Sequence, residues 1–202
     1  MMATMPIDPP LFQAAGHSVR QLQPSDVPAL QALFDANPAY FQAVNGRLAH
    51  ADEAQAEFDE VPPAHLPFAR QWKAGIHDAE GRMVGTLVVL SDFCAPGVWH
   101  LGLFLLATRL HGSGLAVSLH QALLAWARAQ GAQWMRLSVI VGNVRAERFW
   151  ARQGYTEVRR RHGIDTGGRI NDARVMVKAL GDQGLDTYLA RVPRDQPASE
   201  LP

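Results

Sequence analysis

The chain has 202 residues, 48% of them hydrophobic, which suits a single domain with a sizeable core. Nineteen basic residues balance nineteen acidic residues without an extended basic block, so we expect no nucleic acid and no membrane surface among its partners. A single cysteine, Cys94, can form neither an internal disulfide nor a zinc cluster, which favours a reducing, cytoplasmic compartment and predicts no metal site. We also expect neither a secretory leader nor a membrane-spanning helix, because the N-terminus lacks a charged segment before an apolar core and the apolar runs are short.

Residues 1–16 are rich in proline and carry no hydrophobic pattern, so they are expected to form a mobile arm. Hydrophobic periodicity then predicts a folded domain over residues 17–180, with apolar residues at alternate positions in strands and at helical spacing in helices. The predicted strands are 18–22, 68–77, 83–90, 98–107, 134–141, 156–164 and 172–180. The predicted helices are 24–36, 40–44, 52–60, 115–130 and 144–153.

Two short connections that contain glycine, residues 78–81 and 165–169, each join two of these strands and indicate hairpins. Residues 181–202 are polar and contain three prolines, so they are assigned to a C-terminal tail whose end, from residue 190, is expected to fray. Three residues of this tail could still pack a short helix onto the domain: Leu185, Tyr188 and Leu189.

The stretch from Trp99 to Ala116 is the most informative part of the sequence. An apolar run that predicts a buried strand passes into a loop with Gly112 and Gly114, and a helix follows at once. The first N–H groups of a helix have no partner within it and the helix dipole adds positive potential, so this junction is suited to bind a phosphate. No Lys-Ser/Thr pair follows Gly114, which excludes a P-loop, and no carboxylate stands where a dinucleotide-binding fingerprint needs one. A plain structural loop remains the alternative.

Two segments in this order resemble the GNAT superfamily of acyl-CoA-dependent N-acetyltransferases. The first, His111 to Ala116 (HGSGLA), is similar to the pyrophosphate loop of the family, and the second, Asn143 to Tyr155 (NVRAERFWARQGY), is similar to its asparagine, helix and glycine-aromatic signature. His111 stands where the family usually has Gln or Arg, although Arg109 fits the same pattern in a shifted register. Trp150 stands where many members have the tyrosine that protonates the leaving thiolate.

The resemblance implies an α+β fold with a GNAT-like mixed, mostly antiparallel central sheet of about seven strands, flanked by helices and splayed at the cofactor site. It also implies acetyl-CoA as co-substrate and a small-molecule or peptide amine as acceptor. The main chain around Phe104 would bind the pantetheine arm as it would bind an added strand, and the Asn143 amide would bind pantetheine or cap its helix. The expected cofactor-binding residues are Phe104, Leu105, Leu106, His111, Gly112, Ser113, Gly114, Leu115, Ala116, Asn143 and Phe149.

His100 is the expected general base, since an imidazole with a pKa near ~6.5 can accept a proton from an amine near neutral pH. A member of the resembling family has a histidine at a similar place on this strand. Residues 100, 102 and 104 share a face if the strand is regular, whereas a bulge would change the facing. A hydrogen-bonded histidine at the strand edge is the alternative.

Tyr155 is the phenol nearest to Trp150 and the expected catalytic acid, because the indole of Trp150 does not ionise in water. A thiolate that leaves without a protein acid is an alternative, since the pKa of its conjugate acid is about 8.5. A place in the core is the alternative for Tyr155, and Ser138 and Tyr40 are weaker candidates for the acid.

The predicted helix over residues 52–60 is rich in carboxylates, which form a solvated face in the simplest interpretation. As an alternative, some of them lie at the mouth of the acceptor site and attract a cationic amine. The residues concerned are Asp52, Glu53, Glu57, Asp59 and Glu60.

We therefore expect an N-acetyltransferase that transfers the acetyl group directly, since Cys94 has no evident histidine partner for a covalent acyl-enzyme. A catalytically silent acyl-CoA-binding module is the alternative, and its motivation is Trp150 at the position of the usual tyrosine. A homodimer is compatible with either interpretation.

Overall fold

The computed structural model describes residues 9–201, which form one eight-stranded sheet with six α-helices packed around it. The strands are β1 (Phe12–Ala14), β2 (His17–Gln21), β3 (Arg70–His77), β4 (Met83–Ser91), β5 (Val98–Leu106), β6 (Trp134–Ile140), β7 (Thr156–Asp165) and β8 (Ile170–Ala179). The helices are α1 (Val27–Asp35), α2 (Pro38–Asn45), α3 (Glu53–Asp59), α4 (Leu115–Ala129), α5 (Val144–Arg152) and α6 (Leu185–Arg191).

The strands follow the order β1-β2-β3-β4-β5-β6-β8-β7, and all neighbours are antiparallel except β5 and β6. β5 and β6 run parallel because the chain returns through α4 between them, as parallel neighbours require. The α+β class and the mixed, mostly antiparallel sheet expected from the sequence are confirmed, with eight strands where about seven were expected.

Helices cover both faces of this sheet. On one face, α4 and α5 pack against the strands and Leu119 and Leu123 of α4 are fully buried. On the other face, α1, α2 and α3 enclose a second cluster around Leu30 and Phe34. A third cluster, which includes Tyr188 of α6, covers residues of β6, β7 and β8. β5 contributes to all three clusters, with Leu101 in the first, Leu105 in the second and Val98 in the third.

β5 carries a β-bulge at Gly102. Consecutive residues of β4 pair with Leu101 and Leu103, so Gly102 is an extra residue in β5. As a result, Leu101 packs in the cluster on the α4 face and Leu103 packs against the cluster on the opposite face. His100 and Phe104 therefore lie on opposite faces, and the face expected for residues 100, 102 and 104 of a regular strand does not form.

Residues 12–14, which were assigned to the N-terminal arm, form a strand of the sheet, and residues 15–16 form the turn that follows it. Strand β1 pairs with β2, and Phe12 packs on Trp126 of α4 with a ring-centroid distance of 5.7 Å. The assignment of residues 1–16 to an arm is corrected for this segment, because a three-residue strand is too short to produce a periodic pattern. Residues 1–8 of the expected arm lie outside the described residues.

The C-terminal tail also packs on the sheet. α6 forms around Leu185, Tyr188 and Leu189 as considered above, and beyond it Val192 and Asp195 are buried. Asp195 forms an ion pair with Arg136 of β6 at 2.7 Å between Oδ2 and Nε. The fraying expected from residue 190 is therefore corrected, because the polar composition of this segment does not reveal that one of its charges has a buried partner.

Candidate active site

The loop before α4 leaves several main-chain N–H groups free to bind an anion. Gly112 and Gly114 have φ values of 82° and 86°, and a Cβ atom at either position would meet no atom within 4 Å. The N–H groups of Gly112, Gly114 and Ala116 have no hydrogen-bond partner within residues 9–201, and that of Leu115 is 3.3 Å from the Ser113 hydroxyl oxygen. This open cradle at a helix N-terminus fits the pyrophosphate of coenzyme A.

His111 lies between this loop and the end of β5. Its Nε2 donates to the carbonyl oxygen of Leu106 at 3.0 Å, which fixes the tautomer, and its Nδ1 is buried without a protein partner. Burial, together with the nearby charge of Arg145, lowers the pKa of His111, so the ring is neutral near pH 7. His111 thus caps the free edge of β5 and leaves one acceptor nitrogen unused.

β5 and β6 separate beyond the pair formed by Leu101 and Leu137, as the expected splay requires. The gap is a cleft of about 210 Å³, lined by Gly102 to Phe104 of β5 and by Ser138 to Ile140 of β6. Peptide groups of β5 that face this gap have no partner strand there, so an extended ligand can bond to them.

The hydrogen bonds to β4 show which peptide groups of β5 face the cleft. Ala107 N donates to Val84 O, and the polar groups of successive residues in a strand point to alternate sides. Phe104 and Leu106 therefore direct their peptide groups away from β4, toward the open side of β5, whereas Leu105 directs its own to β4. The oxygen of Leu106 is already bonded to His111, so its N–H is the group left for a ligand. The main chain from Phe104 to Ala107 was expected to bind the pantetheine arm, and within it the alternation favours Phe104 and Leu106 over Leu105.

Asn143 stands at the mouth of the same cleft. Its Oδ1 accepts from Ala146 N at 3.3 Å and so caps α5, while its side chain also lines the cleft. The cap uses only the oxygen, so the amide N–H₂ is left to donate to a ligand. Helix capping and ligand binding, stated above as alternatives, are compatible for this residue.

A second cavity, of about 340 Å³, adjoins the cleft on the α1–α3 side of the sheet. Tyr40 and Leu103 line both the cleft and this cavity, which therefore meet at these two side chains. We call this second space the acidic cavity, because four of its lining residues are carboxylates: Glu53, Glu57, Glu60 and Asp165.

The acidic cavity has a fixed outer wall. The β7–β8 turn is tied to the end of α2, because Thr166 Oγ1 and Asn171 Nδ2 both donate to Val44 O at 2.7 Å. Arg47 Nε donates to Gly167 O at 3.0 Å, and Arg47 Nη1 forms an ion pair with Glu53 at 2.7 Å. α2, α3 and the β7–β8 turn thus hold one another around the cavity.

A family model described as the Acetyltransferase (GNAT) family matches residues 30–155, which is more than half of the chain and includes both the loop and the cleft. The chain belongs to the GNAT acetyltransferase family. Membership makes the protein an acyltransferase, and the family uses acetyl-CoA, for which the free N–H groups described above are suited. No sequence among curated proteins matches the chain.

Solved structures of GNAT proteins share this fold. An acetyltransferase from Thermus thermophilus has a TM-score of 0.62 and 22% identity, over 81% of this chain and 96% of that one. The ribosomal-protein-S18-alanine N-acetyltransferase from Escherichia coli has a TM-score of 0.57 and 16% identity, over 84% and 97%. Spermidine N-acetyltransferase from Vibrio cholerae, solved in complex with CoA and spermine, has a TM-score of 0.58 and 16% identity, over 82% and 96%. These identities are low enough that the likeness establishes the fold alone.

His100 lines neither the cleft nor the acidic cavity of this GNAT protein. Its ring stacks on Phe93 with centroids 4.6 Å apart, and its Nδ1 lies 3.2 Å from Nη1 of Arg136. Burial and the Arg136 charge hold the pKa of His100 well below its usual range. His100 therefore has the surroundings of a packed, hydrogen-bonded histidine, which was the alternative stated above. Its partner Arg136 is the residue that also binds Asp195 of the C-terminal tail.

Tyr155 and Phe149 are also absent from the walls of the cleft. Tyr155 is 4% exposed, and its hydroxyl is hydrogen-bonded to Nε2 of His120 at 2.9 Å. Phe149 packs against Trp150, whose indole lines the cleft beside Phe104. The core position considered as the alternative for Tyr155 is the one observed, because the glycine turn after α5 directs this residue inward.

Lys73 is a buried charge that supports α3, one wall of the acidic cavity, and the sequence pattern does not single it out. It is 8% exposed on β3, and its Nζ donates to the carbonyl oxygens of Glu57, Phe58 and Glu60 at the end of α3. An ammonium at a helix C-terminus satisfies carbonyls that have no partner within the helix. The available signal was a lysine between Trp72 and Ala74 in a predicted strand, which indicates a buried charge with a partner.

Within the described part of the chain, no cluster of histidine, cysteine or acidic residues is arranged to hold a metal ion. The same residues contain no helix with the length and apolar character needed to cross a bilayer.

Proposed function

We propose that this protein transfers an acetyl group from acetyl-CoA directly to a primary amine of a small molecule or peptide. The observation that carries the proposal is the junction at Tyr40 and Leu103, where the cofactor cleft adjoins the acidic cavity. A thioester held along β5 would reach this junction, and a cationic amine would be attracted to the carboxylates on its other side.

The residues of the cleft divide the binding of acetyl-CoA among them. The free N–H groups of the loop bind the pyrophosphate, the peptide groups of Phe104 and the N–H of Leu106 bind the pantetheine arm, and the Asn143 amide adds a donor. When bound, acetyl-CoA supplies an activated acetyl thioester. We assign the stabilisation of negative charge on its carbonyl oxygen to the Phe104 N–H, which is directed away from β4.

We assign the donor for the departing thiolate to Tyr40. Burial and the nearby Glu57 and Glu53 charges raise the pKa of Tyr40, so its hydroxyl is protonated throughout the neutral range. It lines the junction from α2, and Trp150, which stands where many GNAT proteins carry a tyrosine, lines the same cleft. Tyr40→Phe should lower kcat about tenfold or more without weakening acetyl-CoA binding, and an unchanged kcat would remove this role.

Direct transfer agrees with the position of the single cysteine. Cys94 lines neither the cleft nor the acidic cavity, and its Sγ accepts a hydrogen bond from Arg194 at 3.5 Å. A covalent acetyl-enzyme would need a nucleophile within reach of the thioester. Cys94→Ala should therefore keep wild-type activity.

The deciding experiment is CoA release from acetyl-CoA with a panel of amines that includes monoamines, diamines, polyamines and peptides with a free N-terminus. We expect release above buffer with at least one cationic amine, together with the acetylated product by mass spectrometry. A catalytically silent acyl-CoA-binding module, favoured by Trp150 at the usual tyrosine position, would bind acetyl-CoA and release no thiol with any amine.

The panel follows from the acidic cavity and from the relatives. The names of two similar structures indicate spermidine and a ribosomal-protein alanine as acceptors of those enzymes. By analogy we place the acceptor of this protein among cationic polyamines or peptide amines, and we place the protein in the cytoplasm, where acetyl-CoA is available. Size-exclusion chromatography with light scattering tests whether it acts as a homodimer.

A further inference from the structure

Four carboxylates line the acidic cavity, but their surroundings differ. Glu53 is held by Arg47 and by the N–H of His50, and Asp165 accepts from Gly167 N. Glu60 is exposed to solvent. Of the four, only Glu57 combines partial burial with a carboxylate that has no hydrogen-bond partner among residues 9–201.

The position of Glu57 is fixed through its main chain. Lys73 Nζ donates to the carbonyl oxygens of Glu57 and Phe58 at 2.8 and 2.7 Å, and so anchors the last turn of α3 to β3. Because these bonds go to main-chain carbonyls, the Glu57 carboxylate stays free to meet a ligand in the cavity. It faces the side of the cavity to which Tyr40 also contributes.

We propose that Glu57 is the general base that removes a proton from the ammonium group of the acceptor. The proposal rests on the proposed function, since it names the proton acceptor for that same transfer. Lys73 is then a positioning residue, which acts through the main chain of α3.

The proton and electron balance of the transfer is complete with these groups. The Glu57 carboxylate takes one proton from R–NH₃⁺, and the neutral amine forms a C–N bond to the thioester carbonyl. The tetrahedral adduct then breaks its C–S bond, and the sulfur leaves with the electron pair. The second proton of the nitrogen passes to the thiolate through the Tyr40 hydroxyl, and Glu57 later returns its proton to water.

The surroundings of Glu57 suit this role near neutral pH. Burial, and then the charge of Glu60, raise its pKa to about 7, and the Lys73 charge only partly opposes them. A base with a pKa near the working pH combines an available carboxylate with a useful affinity for the proton. The charged or titratable groups that face it are Glu53 on α3, Glu60 directly after α3, Lys73 on β3 and Tyr40 on α2.

The test compares Glu57→Gln with Asp59→Asn in steady-state kinetics with the amine that the wild type uses best. Asp59 lies on the same helix but is exposed and does not line the cavity, so its variant makes the same chemical change outside the site. We expect Glu57→Gln to lower kcat/KM by roughly 10²-fold or more and Asp59→Asn to stay within about twofold of the wild type. Affinity for acetyl-CoA should not change in either variant.

The pH profile separates proton transfer from simple attraction of the ammonium. In the wild type, kcat/KM should rise with pH through about 7 as Glu57 ionises, and this limb should be absent in Glu57→Gln. An amine that is already neutral at the assay pH should recover much of the loss, because it needs no base to remove a first proton. If Glu57→Gln is unstable, Glu57→Asp should keep the acidic limb with a lower kcat.

A Glu57→Gln enzyme with wild-type kcat/KM, or one that keeps the acidic limb and only raises KM, would overturn the assignment and leave the transferase function intact. A wild-type protein that releases no CoA with any amine would overturn the proposed function, and the role of Glu57 with it.

Discussion

Glu57 carries an energetic cost in the folded protein that follows from its environment. Its pKa rises from an ordinary value of 4.5 to about 7 on folding, so the folded state binds this proton more tightly than the unfolded state. The stabilising contribution of the protonated group is complete below pH 4.5 and is lost as the pH rises through about 7. The difference corresponds to at most about 3 kcal/mol.

We therefore predict that Glu57→Gln is more stable than the wild type at pH 8, by about 1–3 kcal/mol, and equal to it at about pH 4.5. A neutral amide of nearly the same shape avoids the cost of ionising a partly buried carboxylate. Urea denaturation of both proteins at several pH values measures the difference. Parallel stability curves for the two proteins would show that the site does not raise the pKa of Glu57.

His100 gives a second prediction at the scale of a single residue. Since Arg136 points at its Nδ1 and the ring lines neither cavity, His100→Asn should retain the acidic limb of kcat/KM near pH 7. It should lower the free energy of unfolding by about 1 kcal/mol, because a packed ring on Phe93 is lost. Loss of the limb in this variant, with normal stability, would restore His100 as the base in place of Glu57.

The site residues that the sequence predicts most directly are those whose proposed role depends on local structure. Gly112, Gly114 and Asn143 lie at the N-termini of the helices that follow them, so a short sequence motif is enough to predict their positions. Tyr40 was a weaker candidate and Lys73 was missed, because their roles depend on contacts with distant segments. The carbonyls that Lys73 binds lie 13 to 16 positions away in the chain.

At the scale of elements, the strands and helices with a clear period were predicted within a few residues. The two features that decide the site were harder to predict. A bulge at Gly102 inverts the facing of β5, and glycine in an apolar strand indicates a bulge only as one of several interpretations. The acidic helix α3 has the pattern of a solvated surface helix, and only the placement of α2 and the β7–β8 turn makes it the wall of a cavity.

The junction of the loop with α4 supports a prediction that separates strain from ligand binding. Gly114 and Gly131 stand at opposite ends of α4 with φ values of 86° and 94°, and both face open space. Valine at either position should destabilise the fold by about 1–2 kcal/mol, because a β-branched residue is strained in this conformation. Only Gly114→Val should also weaken acetyl-CoA binding, by at least about tenfold, since its side chain would stand where the pyrophosphate approaches the N–H groups.

Isothermal titration with acetyl-CoA, on both variants and at a temperature where each is folded, distinguishes the two effects. Equal affinities for Gly114→Val and Gly131→Val would remove the loop from the cofactor site.

At the scale of the whole molecule, the C-terminal tail covers the face of the sheet opposite α4. Asp195 is fully buried, and its carboxylate accepts from Arg136 of β6 and from the Tyr188 hydroxyl of α6. Burial acts to raise the pKa of Asp195, but the bonds from Arg136 and Tyr188 outweigh it and hold that pKa below its ordinary value. The ion pair thus contributes stability above about pH 4, and that stability is lost only as the pH falls through the lowered pKa.

We predict that Asp195→Ala lowers the free energy of unfolding at pH 7 by about 3–5 kcal/mol. The size follows from Arg136, whose side chain is 4% exposed and would be left as a buried charge without its carboxylate. Asp182→Ala, at an exposed position before α6, is the matched control and should change stability by less than about 0.5 kcal/mol. Arg136 contacts His100 on β5, but His100 does not line the cleft. The loss of Asp195 should therefore weaken acetyl-CoA binding only in proportion to the fraction of unfolded protein. Denaturant titrations with and without acetyl-CoA measure both quantities, and an Asp195→Ala protein as stable as the control would show that the tail does not hold the sheet.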